Sequence, residues 1–469
     1  MTRDTNHNMG RRGFLKTTAA GIGVTATGRS LAMAKDNQNT TQPTGANTNT
    51  KAENLIWRSQ APTMVYRRLG RTNYMVSRIV EGKAGDAALW RRLLQRGVNY
   101  IDTARGYGNH EANLKPFVQR YRDKLWLTSK ATGIAGYNKI DAEVAQYFRN
   151  EMKRFLGESG STLLELHKKS VAKQKTTGER PDLRTAGQRI ATMYTQQLDE
   201  SLSRLGTDHV DCYFVHGIEI PWIFDCLELW DAYEKVRQAG KVKHFGFSTH
   251  NHMKEVLAAA VEANDRGPWK IDLVMPAVNP GSFDNLKPEL AALKKQDVGI
   301  VAMKTRGIAN RPVDGRETKF KSLTEGKSYN EWERAKLWML HLSENLIDTV
   351  VAGIESNEEM EKDLALPTVK LSAAAKRELR ALVRYEIAGA CHLCGDCTTV
   401  CPEHIAVTDM IRYHAYVHQY NEKEVARQLY SEAGYDPSKL CTNCGRCRGV
   451  CPSDVRITEI LHELANDMA

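Results

Sequence analysis

The sequence lacks any apolar run of about eighteen residues, the length that a membrane-spanning helix needs, so we expect no membrane span in the mature form. It also lacks a lysine- and arginine-rich block and any basic run interleaved with aromatic residues, although its formal net charge is +10. Nucleic acid is therefore not an expected partner. A composition of 41% hydrophobic and 26% charged residues excludes disorder of the whole chain. Its 469 residues allow more than one domain.

The N-terminus carries a pattern typical of targeting rather than of folded structure. GRRGFLK (10–16) precedes a mildly apolar run at 17–28 and the small-x-small site Ala32-Met33-Ala34. The segment resembles a twin-arginine export signal, which implies that the export machinery is a partner and that the protein is periplasmic or otherwise exported. The alternative is a basic N-terminus without a targeting role. We predict a signal peptide at 1–34 and a flexible Asn/Thr/Gln-rich linker at 35–60.

Short apolar runs alternate with longer amphipathic ones through the middle of the chain. Eight such apolar runs follow an opening hairpin. Several of the helical patterns between them end in glycine. Eight strands, each followed by a helix, predict a (β/α)8 TIM barrel. The predicted strands are 78–82, 98–102, 124–130, 210–216, 243–249, 272–278, 298–304 and 348–354.

Polar side chains follow the ends of three predicted strands: the second runs into NYIDTARGYGNHE, the third ends in TSK and the fourth in FVHG. Because the carboxyl ends of barrel strands meet at one rim, we expect these side chains to converge there. The segments resemble, in chain order, the aldo-keto reductase family over roughly residues 64–366. The catalytic tetrad that this implies is Asp102, Tyr107, Lys130 and His216.

The chemistry of the four groups suits carbonyl reduction. A free tyrosine ionises near pH 10, so an ammonium beside Tyr107 is expected to favour its phenolate form. Asp102 would hold Lys130 charged, and His216 would align the substrate oxygen for hydride attack. Tyr107 would then donate the proton as the alcohol forms. The expected substrate is thus a small carbonyl/alcohol pair.

The resemblance also implies a nicotinamide cofactor, and its binding pattern is partly retained. The family's Ser-Asn pair after the fifth strand is Ser-Thr here, and its glutamine after the sixth strand is absent from VMPAVNP. AGIESNEEME after the eighth strand is acidic where a base would hold a 2′-phosphate, so NADP and NAD both remain open. The candidate cofactor-binding residues are Ser248, Thr249, Lys304, Gly353, Ser356 and Asn357.

Eight of the ten cysteines form two runs with identical spacing, CHLCGDCTTVCP at 391–402 and CTNCGRCRGVCP at 441–452. C-x2-C-x2-C-x3-C-P is the spacing that holds a pair of [4Fe–4S] clusters in bacterial ferredoxins. Disulfides, the alternative for an exported chain, are a poor fit to thiols so closely spaced. The remaining Cys212 and Cys226 are expected to be buried core residues. The metal ligands are Cys391, Cys394, Cys397, Cys401, Cys441, Cys444, Cys447 and Cys451.

Resemblance to two-cluster ferredoxins implies that the fourth cysteine of each run serves the other cluster. Cys451 would then join the first run and Cys401 the second. The separator between the runs (402–440) is long and reads as helical, as in the ferredoxin modules fused to larger oxidoreductases. We expect an aldo-keto reductase-like barrel at 61–370 and a small, mainly helical two-cluster ferredoxin-like domain at 371–469.

These observations predict an exported oxidoreductase of the iron–sulfur-containing branch of the aldo-keto reductases. The alternatives are an iron–sulfur electron-transfer protein whose barrel binds but does not turn over a carbonyl, and a binding protein with structural clusters. A nicotinamide gives up electrons in pairs, whereas a cluster takes one at a time, and no flavin motif links the two. A redox protein partner, another bound cofactor and a structural role for the clusters therefore all stay open.

Overall fold

The computed structural model describes residues 54–82, 87–135, 140–158, 163–307, 315–433 and 436–469. The predicted signal peptide (1–34) and most of the predicted linker lie outside them. Of the linker, 54–60 are described: Ile56 pairs with Tyr74, and Arg58 Nη1 donates to Asp211 Oδ2 at 2.8 Å. The last linker residues therefore contact the barrel. Among the described residues, no helix combines the length and apolarity needed to traverse a bilayer.

Eight parallel strands form a closed barrel, so the predicted fold class is confirmed. An antiparallel hairpin precedes it, formed by β1 (Tyr66–Arg68) and β2 (Met75–Ser77). Each barrel strand lies within the range predicted for it, to within a residue. In chain order, β10 closing against β3, the strands are β3 (Ile79–Glu81), β4 (Tyr100–Asp102), β5 (Trp126–Ala131), β6 (Val210–Val215), β7 (Val242–Thr249), β8 (Leu273–Pro276), β9 (Gly299–Ala302) and β10 (Thr349–Ala352).

Amphipathic helices surround the barrel and bury their apolar faces against it. Two of them, α3 and α4, occupy the long segment that follows β5. In chain order the helices are α1 (Ala87–Gln95), α2 (His110–Tyr121), α3 (Ala142–Leu156), α4 (Leu163–Thr177), α5 (Arg184–Leu205), α6 (Leu227–Gln238), α7 (Met253–Arg266), α8 (Phe283–Lys295), α9 (Glu317–Ser322), α10 (Glu331–Leu342), α11 (Asn357–Ala365) and α12 (Ala373–Glu386).

The hairpin fills the amino-terminal end of the barrel. Leu69 and Tyr74 are fully buried and join the interior core formed by inward side chains such as Trp126 and Phe214. Gly70 has φ +50°, and a Cβ there would meet the backbone nitrogen of Gly299 at 2.2 Å, so no other residue fits this approach. Because the hairpin closes this end, the described residues leave room for a site at the carboxyl-terminal rim of the barrel.

The C-terminal region is helical and has its own core, formed by residues such as Ile405, Met410 and Leu461. Two short helices lie within the cysteine loops, a third ends directly before the second loop, and three longer helices complete the region. The helices are α13 (Asp396–Thr399), α14 (Val407–His418), α15 (Lys423–Ala433), α16 (Pro437–Leu440), α17 (Arg446–Gly449) and α18 (Ile457–Met468). Helix α14 lies against the open rim of the barrel, and this placement decides the shape of the site.

Candidate active site and cluster loops

The four tetrad residues lie at the carboxyl-terminal ends of adjacent strands. Asp102 is the last residue of β4, Lys130 is the penultimate residue of β5, and His216 directly follows β6. Tyr107 lies in the turn between β4 and α2. Since β4, β5 and β6 pair in parallel, the structure brings the four side chains to one rim.

Lys130 and Asp102 form a buried ion pair at the base of this site. The Lys130 Nζ lies 2.5 Å from Asp102 Oδ2 and also donates to the Thr103 carbonyl at 2.8 Å. Burial raises the pKa of Asp102 and lowers that of Lys130, while the attraction between them opposes both changes. The pair fixes Lys130 in one position, and the Asp102 carboxylate compensates most of the positive charge of the ammonium.

Tyr107 stands over this pair, with its ring close to both neighbours. The Lys130 Nζ lies 4.9 Å from the Tyr107 ring centroid, and the His216 ring lies 5.7 Å away, nearly perpendicular at 82°. Burial, then the charges of Asp102 and Tyr416, raise the pKa of Tyr107 well above 10. The expected phenolate-favouring effect of Lys130 is therefore not what the structure shows, because the ammonium faces the ring and is neutralised by Asp102. At neutral pH Tyr107 is a proton donor.

A cavity of about 660 Å³ lies beside two of the tetrad residues at this rim. Asp102 and Tyr107 line it from the barrel, and Arg412 and Tyr416 of α14 line it from the C-terminal region. The sequence interpretation treated α14 only as part of a helical separator. The signal that was available is the i, i+4 spacing of Arg412 and Tyr416, which places two polar side chains on one helix face.

A larger cavity of about 1340 Å³ lies between α9, α10 and α12 and contains none of the tetrad. Its lining is rich in charged residues from the helical layer, among them Glu317, Lys327 and Glu386. Active groups of a barrel of this kind sit at the strand ends, so the smaller cavity at the rim is the candidate active site.

The candidate cofactor residues at the end of β7 and after β9 already have protein partners. Ser248 Oγ accepts from the Gly217 amide at 3.0 Å, and Thr249 Oγ1 donates to the Asn251 carbonyl at 3.1 Å. Lys304, in a left-handed conformation (φ 52°), donates to the Tyr416 hydroxyl at 3.0 Å. Lys304 thus points at the phenol of α14 rather than at an open phosphate site.

The candidate residues after β10 lie at the start of α11. Gly353 and Ser356 line the rim cavity, Ser356 caps the helix by accepting from the Glu359 amide at 3.2 Å, and Asn357 is its first residue. The Glu359 carboxylate in turn accepts from the Glu355 amide at 2.8 Å. A carboxylate therefore occupies part of the place where a helix N-terminus would bind phosphate.

The two cysteine loops bring their thiols together in two groups of four. Burial, then the thiols of Cys397, Cys394 and Cys451, raise the pKa of Cys391. Burial and the thiols of Cys441, Cys401 and Cys444 do the same for Cys447. The fourth cysteine of each run thus lies with the first three of the other run. Two sets of four thiols at ferredoxin spacing fit [4Fe–4S] clusters.

The aldo/keto reductase family profile matches residues 83–344, which is more than half of the chain. The match covers the strands that carry the tetrad. The chain belongs to the aldo/keto reductase family. A second profile, the 4Fe-4S dicluster domain, matches residues 390–456 and indicates iron–sulfur clusters in the C-terminal region. This aldo/keto reductase is therefore an oxidoreductase by its family and carries a cluster domain beside its barrel.

Solved structures similar to this chain include two described as aldo-keto reductases. One from Bacillus halodurans is 18% identical, with a TM-score of 0.46, and the match covers 68% of this chain and 96% of that one. One from Brucella melitensis is 16% identical, with a TM-score of 0.43, covering 68% and 99% respectively. No curated protein matches the sequence.

Proposed function

We propose that this protein interconverts a small carbonyl compound and its alcohol, with Tyr107 as the acid–base residue. The observation that carries the proposal is the placement of Tyr107 between the Lys130–Asp102 pair and His216, facing a cavity. His216 orients the substrate oxygen, and Tyr107 gives its proton to that oxygen as the carbonyl is reduced. The raised pKa keeps Tyr107 protonated and ready to donate at neutral pH.

A nicotinamide would supply the hydride. The described residues leave room for a nicotinamide in the rim cavity beside Asp102 and Tyr107. They do not fit a 2′-phosphate at the start of α11, because Glu355, Glu358 and Glu359 line that part of the cavity. An acidic side chain there suits the free 2′-hydroxyl of NAD. We therefore propose NAD over NADP, and titration of the protein with both reduced nucleotides should show tighter binding of NADH.

Replacement of Tyr107 tests the catalytic proposal. Tyr107→Phe removes the proton donor and keeps the ring, so the expected result is a fall of about 10²–10⁴-fold in kcat for carbonyl reduction. The matched control is Tyr121→Phe, which removes a hydroxyl from α2 outside the cavity. Iron content should be unchanged in both variants. Full activity of Tyr107→Phe would contradict the assignment.

The acidic start of α11 favours one alternative, an iron–sulfur electron-transfer protein whose barrel no longer turns over a carbonyl. In that case the clusters would be reduced and reoxidised reversibly, while calorimetry would detect no binding of NADH or NADPH. A small redox protein would then be the partner. Saturable nucleotide binding together with Tyr107-dependent turnover would rule the alternative out.

We also propose that the protein carries two [4Fe–4S] clusters and is exported by the twin-arginine machinery. The two groups of four thiols support the first point, and GRRGFLK with Ala32-Met33-Ala34 supports the second. Replacing Arg11 and Arg12 together by lysine should leave the protein in the cytoplasmic fraction. Unchanged distribution between cell fractions would contradict export by this route.

A further inference from the structure

The cluster domain contributes a second tyrosine to the barrel's active-site cavity. Tyr416 of α14 lines the same cavity as Tyr107, and its charge is one of the influences that raise the pKa of Tyr107. The two phenols therefore interact electrostatically, so that negative charge on one disfavours ionisation of the other. The tetrad chemistry described above gives Tyr416 no role.

Two cations converge on the Tyr416 hydroxyl. Lys304 Nζ, from the loop after β9, lies 3.0 Å from the oxygen, and Arg412 Nη1, one turn earlier on α14, lies 3.3 Å from it. The Tyr420 ring packs nearly perpendicular to the Tyr416 ring, with centroids 5.7 Å apart. This surrounding stabilises negative charge on the phenol oxygen.

The other charged groups near Tyr416 only partly offset this effect. Arg412 forms an ion pair with Asp409 on α14, and Asp409 also accepts from the Asn251 amide at 3.3 Å. From the barrel side, the buried Asp102 is already paired with Lys130. Lys304 donates to Tyr416 from the barrel and Arg412 from the cluster domain, so one cation contacts the phenol from each domain, although Arg412 shares its charge with Asp409.

The two phenols consequently have opposite acidities. Burial raises the pKa of Tyr416, but Lys304 and then Arg412 outweigh it and lower the pKa to about 7. Tyr107 is shifted the other way, well above 10. Neighbouring groups whose pKa values are pushed apart are characteristic of acid–base pairs in active sites.

We propose that Tyr416 relays the reaction's proton between solvent and Tyr107. The proposal rests on the proposed carbonyl chemistry and adds a residue from the cluster domain to it. In reduction, the Tyr107 Oη–H bond breaks and an O–H bond forms on the product alcohol, whose carbon has received the hydride. The Tyr416 hydroxyl then gives its proton to the Tyr107 phenolate, directly or through water. Tyr416 finally recovers a proton from solvent, and oxidation runs through the same steps in reverse.

The first test is a tyrosinate titration of the cluster-loaded protein, followed by ultraviolet difference absorbance. The wild type should show one tyrosine ionising near neutral pH. That ionisation should be absent from Tyr416→Phe and retained in the matched control Tyr413→Phe, which removes a buried hydroxyl from the same helix. Lys304→Met keeps Tyr416 and should raise the midpoint. The proposal is overturned if no wild-type tyrosine ionises below the ordinary value of about 10.

The second test is the pH profile of carbonyl reduction. Because the relay must donate a proton, kcat of the wild type should fall as pH rises through about 7, the pKa of Tyr416. Tyr416→Phe should no longer show this decrease, and its kcat at low pH should be at least tenfold below that of the wild type, with iron content unchanged. Tyr413→Phe should keep the decrease. A Tyr416→Phe profile identical to that of the wild type would overturn the relay. Failure of the proposed function looks different, since full turnover would then persist in Tyr107→Phe.

Discussion

The two cysteine loops have the same backbone and opposite surroundings. Both place residues fifty positions apart in the left-handed region, and both begin a four-residue helix directly after a left-handed glycine. After the fourth cysteine of each, an amide bonds back to that cysteine's carbonyl, at 3.2 Å and 3.3 Å. The equivalent left-handed pairs are Leu393 and Asn443, Gly395 and Gly445, and His404 and Asp454.

The first loop packs closely against the barrel, whereas the second loop shares only a cavity with Glu165 and Lys168 of α4 among the described residues. A Cβ on Gly395 would meet His252 Nδ1 at 2.9 Å, and a Cβ on Gly281 would meet the His392 ring at 2.5 Å. A Cβ on Gly445 would meet no heavy atom within 4 Å, and Cys444 is exposed. The two loops thus share their backbone conformation, whereas the first contributes Leu393 to the rim cavity and the second exposes Cys444.

Replacement of the fourth cysteine of either run by serine should have the largest effect, a loss of bound iron. Cys451→Ser should remove the cluster of the first loop, and Cys401→Ser that of the second, because each thiol lies with the other run. Each variant should retain about four of about eight irons. Cys226→Ala, a buried barrel cysteine, is the control and should retain all of them.

Spectra of the remaining cluster distinguish the two variants. Electron paramagnetic resonance of the reduced protein should show that Cys451→Ser and Cys391→Ser lose the same signal. If Cys451→Ser instead loses the same signal that Cys441→Ser loses, each run binds its own cluster.

Alanine at the two equivalent glycines should separate backbone strain from docking. Both positions have positive φ, +91° at Gly395 and +72° at Gly445, so either substitution costs about 1–2 kcal/mol. Only Gly395→Ala also forces its methyl against His252. Calorimetry should therefore show a distinctly larger fall in Tm for Gly395→Ala. Equal decreases would mean that the contact with the barrel contributes nothing to stability.

Acid should weaken the contact at the first loop through His252. Burial, then Lys168, lower the pKa of His252 to about 4, although Asp396 and Asp409 oppose this change. An unfolded histidine has a pKa of about 6.5 and binds the proton first, so stability is full above 6.5 and decreases as pH falls towards 4. At about 1.4 kcal/mol per pKa unit, the loss of stability reaches about 3.5 kcal/mol below pH 4.

The control for this effect is His252→Asn, which cannot titrate in this range and tolerates the left-handed backbone (φ 48°). Its free energy of unfolding should depend less on pH between 7 and 4 than that of the wild type. An equally steep dependence would place the acid sensitivity elsewhere in the chain.

The periodic parts of the sequence predicted the barrel well, because strand burial and strand–helix alternation are local properties. The position of the tetrad residues at one rim also followed from the chain, since parallel strand ends must meet. The pairing of Cys451 with the first run and Cys401 with the second is likewise the one that resemblance to two-cluster ferredoxins implied.

What the sequence did not predict depends on contacts between distant segments. Nothing local to Arg412 or Tyr416 indicates that α14 lies over the barrel rim, because docking depends on the shapes of two separately built surfaces. The acidity of Tyr107 was misjudged for a similar reason. Spacing placed Lys130 near it, but only the structure shows the amine against the ring face and bonded to Asp102.

Helix α14 begins beside a cluster ligand and ends in the cavity. Thr408 in its first turn lies 3.4 Å from the Cys397 sulfur, and Tyr416 stands eight residues, about 12 Å, further along. If a cluster bound through Cys397 fixes the start of α14, iron loading also positions Tyr416 in the wall of the rim cavity. Assembly of the cluster would then have to precede completion of the cavity, and a chain without iron would be inactive.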